Sequence, residues 1–487
     1  MSKRKVGVGS VGSMRQVSWG PVNHLEKFVM RLLGFPIFWN SNLRQAVRFR
    51  SLQKIRPLLR FVFSDSLKVV VCTTTGRQVE RRITILGIPV SVTVQTRHKI
   101  RVGLLVDEFF GGWDTAIGGY GALARKYICR FVPNAEIEID VLLGVGDRDE
   151  VEECIVDATR LFRLPASTFE RQIWLDKRAY ELFISIEMTV PSFCIVKSYF
   201  SLIPLIYLIQ DPRDLKLYQP RLHSVGRLRD SDWSYVHDVV EWIREPIRTR
   251  RVSFLSQGDS LSEIARSMYE IPCSVPTPKL LNPVEDSNYE FSNSSKGKSV
   301  VFLGRLEAQK RVWIVCEVAR AMPQYDFYIL GEIGKGRNEA ENAKALEEYR
   351  YPDGGSRVGN LHFLGHLDGE AKQRYLKSAR VLLNTSIWEG IPLSWLEALA
   401  YGTLIVSAFD RDEIVSRFGT YIGEVLGDGT DEETLRRFSN AIEYWMRNEE
   451  IFEKVAREAI EYIRTEHSVE VFTNRMRYEI MRAIQKI

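Results

Sequence analysis

Metal-binding and redox signatures are missing from this chain of 487 residues. Its six cysteines, Cys72, Cys129, Cys154, Cys194, Cys273 and Cys316, are scattered and include no C-x-x-C pair. That argues against a zinc site or a disulfide framework, and for a reducing compartment. The seven histidines show no H-E-x-x-H or comparable ligand spacing, so no protein-built metal site is expected. Long hydrophobic runs are also missing, since LIPLIYLI (202–209) is far short of the ~20 residues that span a bilayer. Behind the basic stretch Met1 to Arg15 there is no apolar core of signal length, which reads against a secretory signal; an organellar transit peptide is the alternative for an Arg-rich, acid-poor start. No solenoid-type repeat is present.

Acidic residues are scarce in one place. Residues 1–98 hold 17 Lys and Arg against 3 Asp and Glu, a net +14, so the overall +5 leaves −9 for the remainder. A basic arm on an acidic body points to an anionic partner surface, lipid head groups or nucleic acid. No nucleic-acid motif accompanies the charge, so no nucleic-acid partner is expected. Interleaved Phe, Trp and Leu in LLGFPIFW (32–39) and LRQAVRFRSLQKIRPLLRFVF (43–63) suit short amphipathic helices, interrupted at Pro57, on an anionic membrane. Each Lys or Arg near such a surface contributes about 1 kcal/mol. Packing of the arm as an ordinary subdomain is the competing reading. The stretch 68–94 is β-branched and alternating, which predicts two or three short strands.

From Lys99 onward strands and helices alternate. IRVGLLVDE (100–108), IEIDVLLGV (137–145), YELFISIE (180–187), PLIYLIQD (204–211) and RVSFLSQ (251–257) read as buried strands of a parallel sheet covered by helices. After a small, polar linker at 286–298, a second run begins with SVVFLGRL, YDFYILGE, NLHFLGHL, RVLLNTSI and TLIVSAFD. A helix with Leu435, Phe438, Ile442 and Trp445 on one face follows, and the tail from Ser468 to Ile487 is again helical. The predicted fold class is α/β: two facing Rossmann-like domains, 99–285 and 299–467, with a cleft between them, a C-terminal helix 468–487, and a basic N-terminal extension, 1–98, of short helices and strands.

Two segments carry the chemistry. SIWEGIPLSWLEALAYG (386–402) follows a buried strand, at the edge where open parallel sheets bind ligands. Pro392 suits the first helical position and Gly402 the end, so the N–H groups of Leu393 and Ser394 face an anion such as a diphosphate. Phosphate would repel Glu389 and Glu397, so these carboxylates are expected to accept hydrogen bonds from sugar or ribose hydroxyls. In FLGRLEAQKR (302–311) the first strand of the domain runs into a turn with Arg305 and Lys310, two cations suited to a pyrophosphate leaving group.

Together, GRLEAQK (304–310), LHFLGHLDGE (361–370) and the Glu389/Glu397 pair ending in EALAYG resemble the donor domain of retaining GT-B glycosyltransferases of glycosyltransferase family 4. The likeness covers nearly all of 299–487 and, more loosely, 99–285. It implies that Arg305 and Lys310 bind the donor diphosphate and stabilise its departing charge. Glu389, with Gly390 and Ile391 beside it, would meet the transferred sugar, and Glu397 the ribose diol. The backbone of Gly365, His366 and Leu367 would line the base. The glycine loop GGYG (118–121), with Gly118 and Gly119, would approach the donor phosphate, and Asn282–Pro283 would form the usual interdomain connection. One departure stands out: many relatives place a histidine where Gln210 precedes Asp211 here, which leaves Asp211 and Gln210 as the acceptor-side candidates.

The resemblance implies a retaining sugar transfer from a nucleotide-diphosphate donor to a saccharide, with the nucleotide sugar as co-substrate and no metal or other cofactor. ERRITILGIPVSVTVQTRHK (80–99) is similar to segments of bacterial cell-surface polysaccharide glycosyltransferases. That implies a glycan acceptor on a lipid carrier, and a cytoplasmic protein peripheral to the inner face of the membrane. The donor stays open among UDP-, GDP- and dTDP-sugars, with a lean to a deoxyhexose such as rhamnose. Alternatives are a catalytically silent GT-B scaffold or glycan-binding subunit, a nucleotide-sugar epimerase, or a phosphorylase, for which no cofactor lysine is evident.

Overall fold

A computed structural model describes residues 99–198, 203–226, 234–285, 289–334 and 339–485, together with five strands of the N-terminal section. Those strands, β1 (Val6–Ser10), β2 (Ser13–Val17), β3 (Lys68–Thr74), β4 (Gln78–Ile85) and β5 (Ile88–Gln95), form an antiparallel sheet in the order β2-β1-β5-β4-β3. The expected strands of 68–94 are three. β1 and β2 were not anticipated, because VGVGS and SMRQV carry too much Gly and Ser to read as strands. The helical pieces expected at 32–39 and 43–63 lie outside the described residues.

Residues Ile100–Met481 make a second compact unit that contains two sheets. The first comprises β6 (Ile100–Leu105), β7 (Ile137–Val145), β8 (Glu152–Val156), β9 (Thr159–Leu164), β10 (Leu182–Ile186), β11 (Leu205–Ile209) and β12 (Val252–Ser256). Its order is β12-β11-β10-β6-β7-β9-β8, parallel except for the β8–β9 hairpin. The hairpin was not expected; its edge strand EECIV alternates half-buried and exposed residues and buries none. The second sheet comprises β13 (Ser299–Leu303), β14 (Asp326–Leu330), β15 (Leu361–Phe363), β16 (Val381–Asn384), β17 (Leu404–Ser407) and β18 (Gly419–Tyr421). It is parallel throughout, in the order β15-β14-β13-β16-β17-β18. LFISI, LIYLI and VLLN are buried along their whole length, as strands covered on both faces must be.

Each sheet reverses its strand order once, at β6/β10 and at β13/β16. Loops leaving neighbouring strands at such a point diverge and open a crevice. The glycine loop and Glu187 leave the first; Arg305, Lys310 and Glu389 leave the second. The first helix, Gly119–Ala122 continuing to Cys129–Phe131, passes through a π-helical stretch at Leu123–Ile128.

The two α/β halves are tied by the chain's return. His467 is buried, its Nδ1 2.6 Å from Asn282 O, while the Val284 N–H donates to His467 O at 2.9 Å. Burial pushes this imidazole down to about 4, so it serves as a neutral donor. In the final helix Val469–Gln485, Arg477 donates to the carbonyls of Phe131 (2.7 Å) and Val132 (3.0 Å), which fastens that helix to the first helix of the first sheet.

Candidate active site

The loop after β16 leads into a short helix, Leu393–Leu399. Pro392 caps it in an extended conformation and does not occupy its first turn: ψ near 140° leaves the chain still running out of the cleft. Past the other end Gly402 takes φ +67°, its N–H bonded to Leu399 O and the Thr403 N–H to Ala398 O. This paired closure needs a left-handed residue. Trp388, Trp395 and Leu396 are buried beneath the loop.

Glu389 sits at the crevice and is almost fully buried. Lys310 Nζ donates to its Oε1 at 2.5 Å, as does Ser386 Oγ at 2.5 Å, and Asn384 Nδ2 lies at 3.3 Å. Burial pushes the carboxyl up, but the Lys310 charge and these hydrogen bonds outweigh it and hold the group below its usual range. Arg305, half-exposed, pairs with Glu307 at 3.2 Å and is within electrostatic reach of Asp107 and Glu108 on the facing domain. Lys310 and Glu389 are thus joined directly, with Arg305 on the same turn.

Glu397 does not stand free. Its Oε1 accepts from Lys372 at 2.7 Å, Lys372 reaches Asp368 at 3.4 Å, and Asp368 accepts from Lys126 of the first domain at 2.7 Å. This chain of charges crosses the cleft. Burial pushes the Asp368 carboxyl up, yet Lys126 and Lys372 bring it down to about 2. Gly365 takes φ +70° and accepts the Gly331 N–H at 2.8 Å. The His366 N–H points at Glu332 Oε1 (3.4 Å) and its ring meets Phe110 of the first domain edge-on at 5.8 Å. Leu367 is half-buried.

At Gly390 and Ile391 the two domains approach closely. A Cβ on Gly390 would lie 2.1 Å from Gln210 O, so only glycine fits there. The Ile391 side chain is buried against Gly258, packing the domains together and unavailable to a donor. Leu393 and Ser394 are half-buried at the helix start, where N–H groups lack intrahelical partners.

On the first domain, Gly118 lies so close to Glu108 that an added Cβ would fall 2.2 Å from its Oε2, and the Gly121 N–H donates to Oε1 at 2.8 Å. Gly119 has open space around it. Gln210 is corrected as an acceptor-side group: its carboxamide is buried and its Oε1 accepts from Asn282 Nδ2 at 2.7 Å, with Gln257 completing the knot. Asp211 remains at the cleft, paired with Arg213 at 2.9 Å, with Oδ1 unpartnered.

Residues missed in the sequence fix these loops. Arg311, fully buried at φ +46°, donates to Thr385 O, Ser386 O, Val425 O and Gly427 O, and burial pushes its guanidinium down to about 10. Glu187 accepts the N–H groups of Gln210 (2.6 Å) and Asp211 (2.7 Å) and the Tyr207 hydroxyl (2.7 Å). Asp412 accepts the N–H groups of Asp259 (2.8 Å) and Ser260 (2.9 Å) across the cleft. Only Arg311 had a usable signal, a second cation beside Lys310.

Two facing sheets, each opening its crevice towards the other, with cations and a buried carboxylate at the second, define the GT-B architecture. Residues 297–439 match the family described as glycosyl transferases group 1. Residues 297–439 therefore form a group 1 glycosyl transferase domain, and the protein is a glycosyltransferase. The chain is similar in fold to sucrose-phosphate synthase from Thermosynechococcus elongatus, with a TM-score of 0.62 and 14% identity over 80% of this chain and 100% of that one. HepE from Anabaena, crystallised with UDP-glucose, gives 0.54 and 12% over 78% and 99%. WaaG, a glycosyltransferase of lipopolysaccharide biosynthesis, gives 0.50 and 13% over 77% and 98%. No curated protein matches the sequence.

Proposed function

We propose that the protein moves a sugar from a nucleotide-diphosphate donor to a saccharide acceptor with retention of anomeric configuration, in the assembly of a cell-surface glycan. The Lys310–Glu389 pair at the β13/β16 reversal, its carboxylate buried, carries this reading. Lys310 and Arg305 face the diphosphate and neutralise the charge that grows as the glycosidic bond breaks, in a crevice where such charges act strongly. Glu389, kept anionic, accepts sugar hydroxyls and orients the ring. The departing phosphate oxygen takes the acceptor proton on the face it leaves, so no strong protein base is required. Glu397 turns from Lys372 towards the ribose diol, and the backbone of Gly365 to Leu367 receives the base. With two side-chain cations on the diphosphate, the nucleotide sugar serves as co-substrate without a resident metal or cofactor.

The acceptor we assign is a lipid-linked glycan, met by the +14 arm of residues 1–98 on the cytoplasmic face of an anionic membrane. No helix among the described residues is long and apolar enough to cross one. The test is thermal unfolding against UDP-, GDP- and dTDP-sugars. A ligand at a hundred times its Kd adds about 2.7 kcal/mol, and at least one sugar should raise the Tm. Glu389→Gln should lose turnover by about a hundredfold while keeping the fold. No response to any nucleotide diphosphate rejects the reading in favour of a silent scaffold, and normal turnover in both Glu389→Gln and Glu397→Gln rejects the roles given to these two carboxylates.

A further inference from the structure

Beside the donor pair lies a cation that the sugar-diphosphate chemistry does not use. Arg411 leaves β17, and its Nε donates to Glu389 O at 3.0 Å. Its guanidinium stacks over Trp388 (4.9 Å) and Phe409 (4.4 Å). Arg221, from the first domain, lies 5.3 Å from each of the same two rings. The neighbouring charges are already matched: Arg221 with Glu424, Arg213 with Asp211, Lys310 with Glu389. Asp412 spends both oxygens on backbone N–H groups of the first domain. Among the described residues, no carboxylate forms an ion pair with Arg411.

Two polar atoms in this corner are shut off from solvent and without a partner: Nη2 of Arg411 and Oδ1 of Asp211. They belong to different domains, and the charges of their side chains are within reach of one another. A buried donor and a buried acceptor left open are costly unless something fills them. What fills them must bring an anion to the guanidinium and a hydroxyl to the carboxylate. A sugar that carries a carboxylate next to free hydroxyls does both.

We propose that Arg411 and Asp211 form an acceptor subsite that selects an acidic sugar, a uronic acid. This rests on the glycosyltransferase reading above for what the acceptor is used for, though not for whether the anion binds. The stacked guanidinium fixes the plane of the carboxylate, and Asp211, held by Arg213, accepts a hydrogen bond from a hydroxyl of the same sugar.

Isothermal titration of the full chain with para-nitrophenyl glucuronide and para-nitrophenyl glucoside, with and without UDP, tests it. The wild type should prefer the glucuronide by about tenfold or more, the value of one charge-assisted hydrogen bond. Arg411→Met keeps an apolar stem over Trp388 and Phe409 and should bind both glycosides equally, with UDP affinity unchanged. Should that variant fail to fold, Arg411→Lys, which keeps the charge but loses the planar fork, should retain a preference of only about threefold. An equal response of the wild type to both glycosides overturns the proposal, as does a preference that survives in Arg411→Met. If Arg411→Met instead weakens UDP, the guanidinium belongs to the donor phosphates and the proposal falls. An Arg411-dependent preference seen only for UDP-glucuronic acid over UDP-glucose would place the carboxylate on the transferred sugar and overturn the acceptor assignment. Failure of UDP to bind the wild type counts against the donor reading alone, because the titrations without nucleotide still decide the subsite.

Discussion

Glu389 and Glu187 stand just past strand ends in facing sheets, 7% and 6% exposed, and their carboxyls move in opposite directions. Burial acts upward on both. Glu389 meets an ammonium and two neutral donors and ends below its usual range. Glu187 meets only neutral donors, two backbone N–H groups and the Tyr207 hydroxyl, with the Asp211 charge adding to the rise, and is pushed up to about 7. Around Glu187 the hydrogen bonds do not outweigh burial and the Asp211 charge, whereas around Glu389 the Lys310 counter-charge tips the balance. The difference matches their places. Glu389 touches the crevice, where a fixed negative charge can grip hydroxyls. Glu187 lies behind the Gln210–Asp211 turn at φ +53°, and its work is to hold that turn in position.

The largest test of this contrast removes the counter-charge. Lys310→Met leaves Glu389 as a buried carboxylate without a cation and should cost about 3 kcal/mol in urea-induced unfolding, with nucleotide-diphosphate binding lost as well. A cost below about 1 kcal/mol, the range of exposed pairs, would mean that Ser386 and Asn384 suffice and the contrast is wrong. On the other side, Glu187→Ala strands two buried N–H groups and should cost about 2 kcal/mol or more, and it should weaken acceptor use more than donor binding. Equal loss of both would assign Glu187 a general structural role and no particular hold on Asp211.

The second α/β half was legible because its candidate site residues are local in the chain. GRLEAQK and EGIPLSWLEALAYG each put a strand end, a turn and the candidate side chains within a few residues, and apolar runs marked the strands on either side. What stayed hidden depends on distant partners. Arg311 binds carbonyls 74 to 116 positions away, and Asp412 caps a helix of the other domain 152 and 153 positions off. Gln210 looked like an active-site substitute because its sequence position fits, yet its burial follows from Asn282, which is 72 residues later. β18, three residues with no apolar signature beyond Tyr421, is a strand only because β17 offers it an edge. Glu397 illustrates the reverse: its position was readable, while its ion pair with Lys372 is a tertiary fact.

The smallest test is one of pH, and its sign separates the two carboxyls. Glu187 has a folded value of about 7, above the ordinary glutamate range, so the native protein keeps a proton that the unfolded chain releases near pH ~4.3. Its contribution is then fully present in acid and is lost as pH rises through about 7. Glu389, held low, contributes in the opposite sense: its share is present at neutral pH and is lost as pH falls below its depressed value. Glu187→Gln removes only the first dependence. The amide oxygen can still accept from Gln210 and Asp211, and its NH2 can donate to Tyr207, which then donates to Tyr269, 2.7 Å away. Between about pH 6 and about pH 8 the wild type should lose about 1–2 kcal/mol of stability relative to Glu187→Gln, read as the difference between their unfolding free energies so that all other titrations cancel. A difference that stays flat over that range would mean Glu187 is ionised throughout, and a cation would then have to be found beside it.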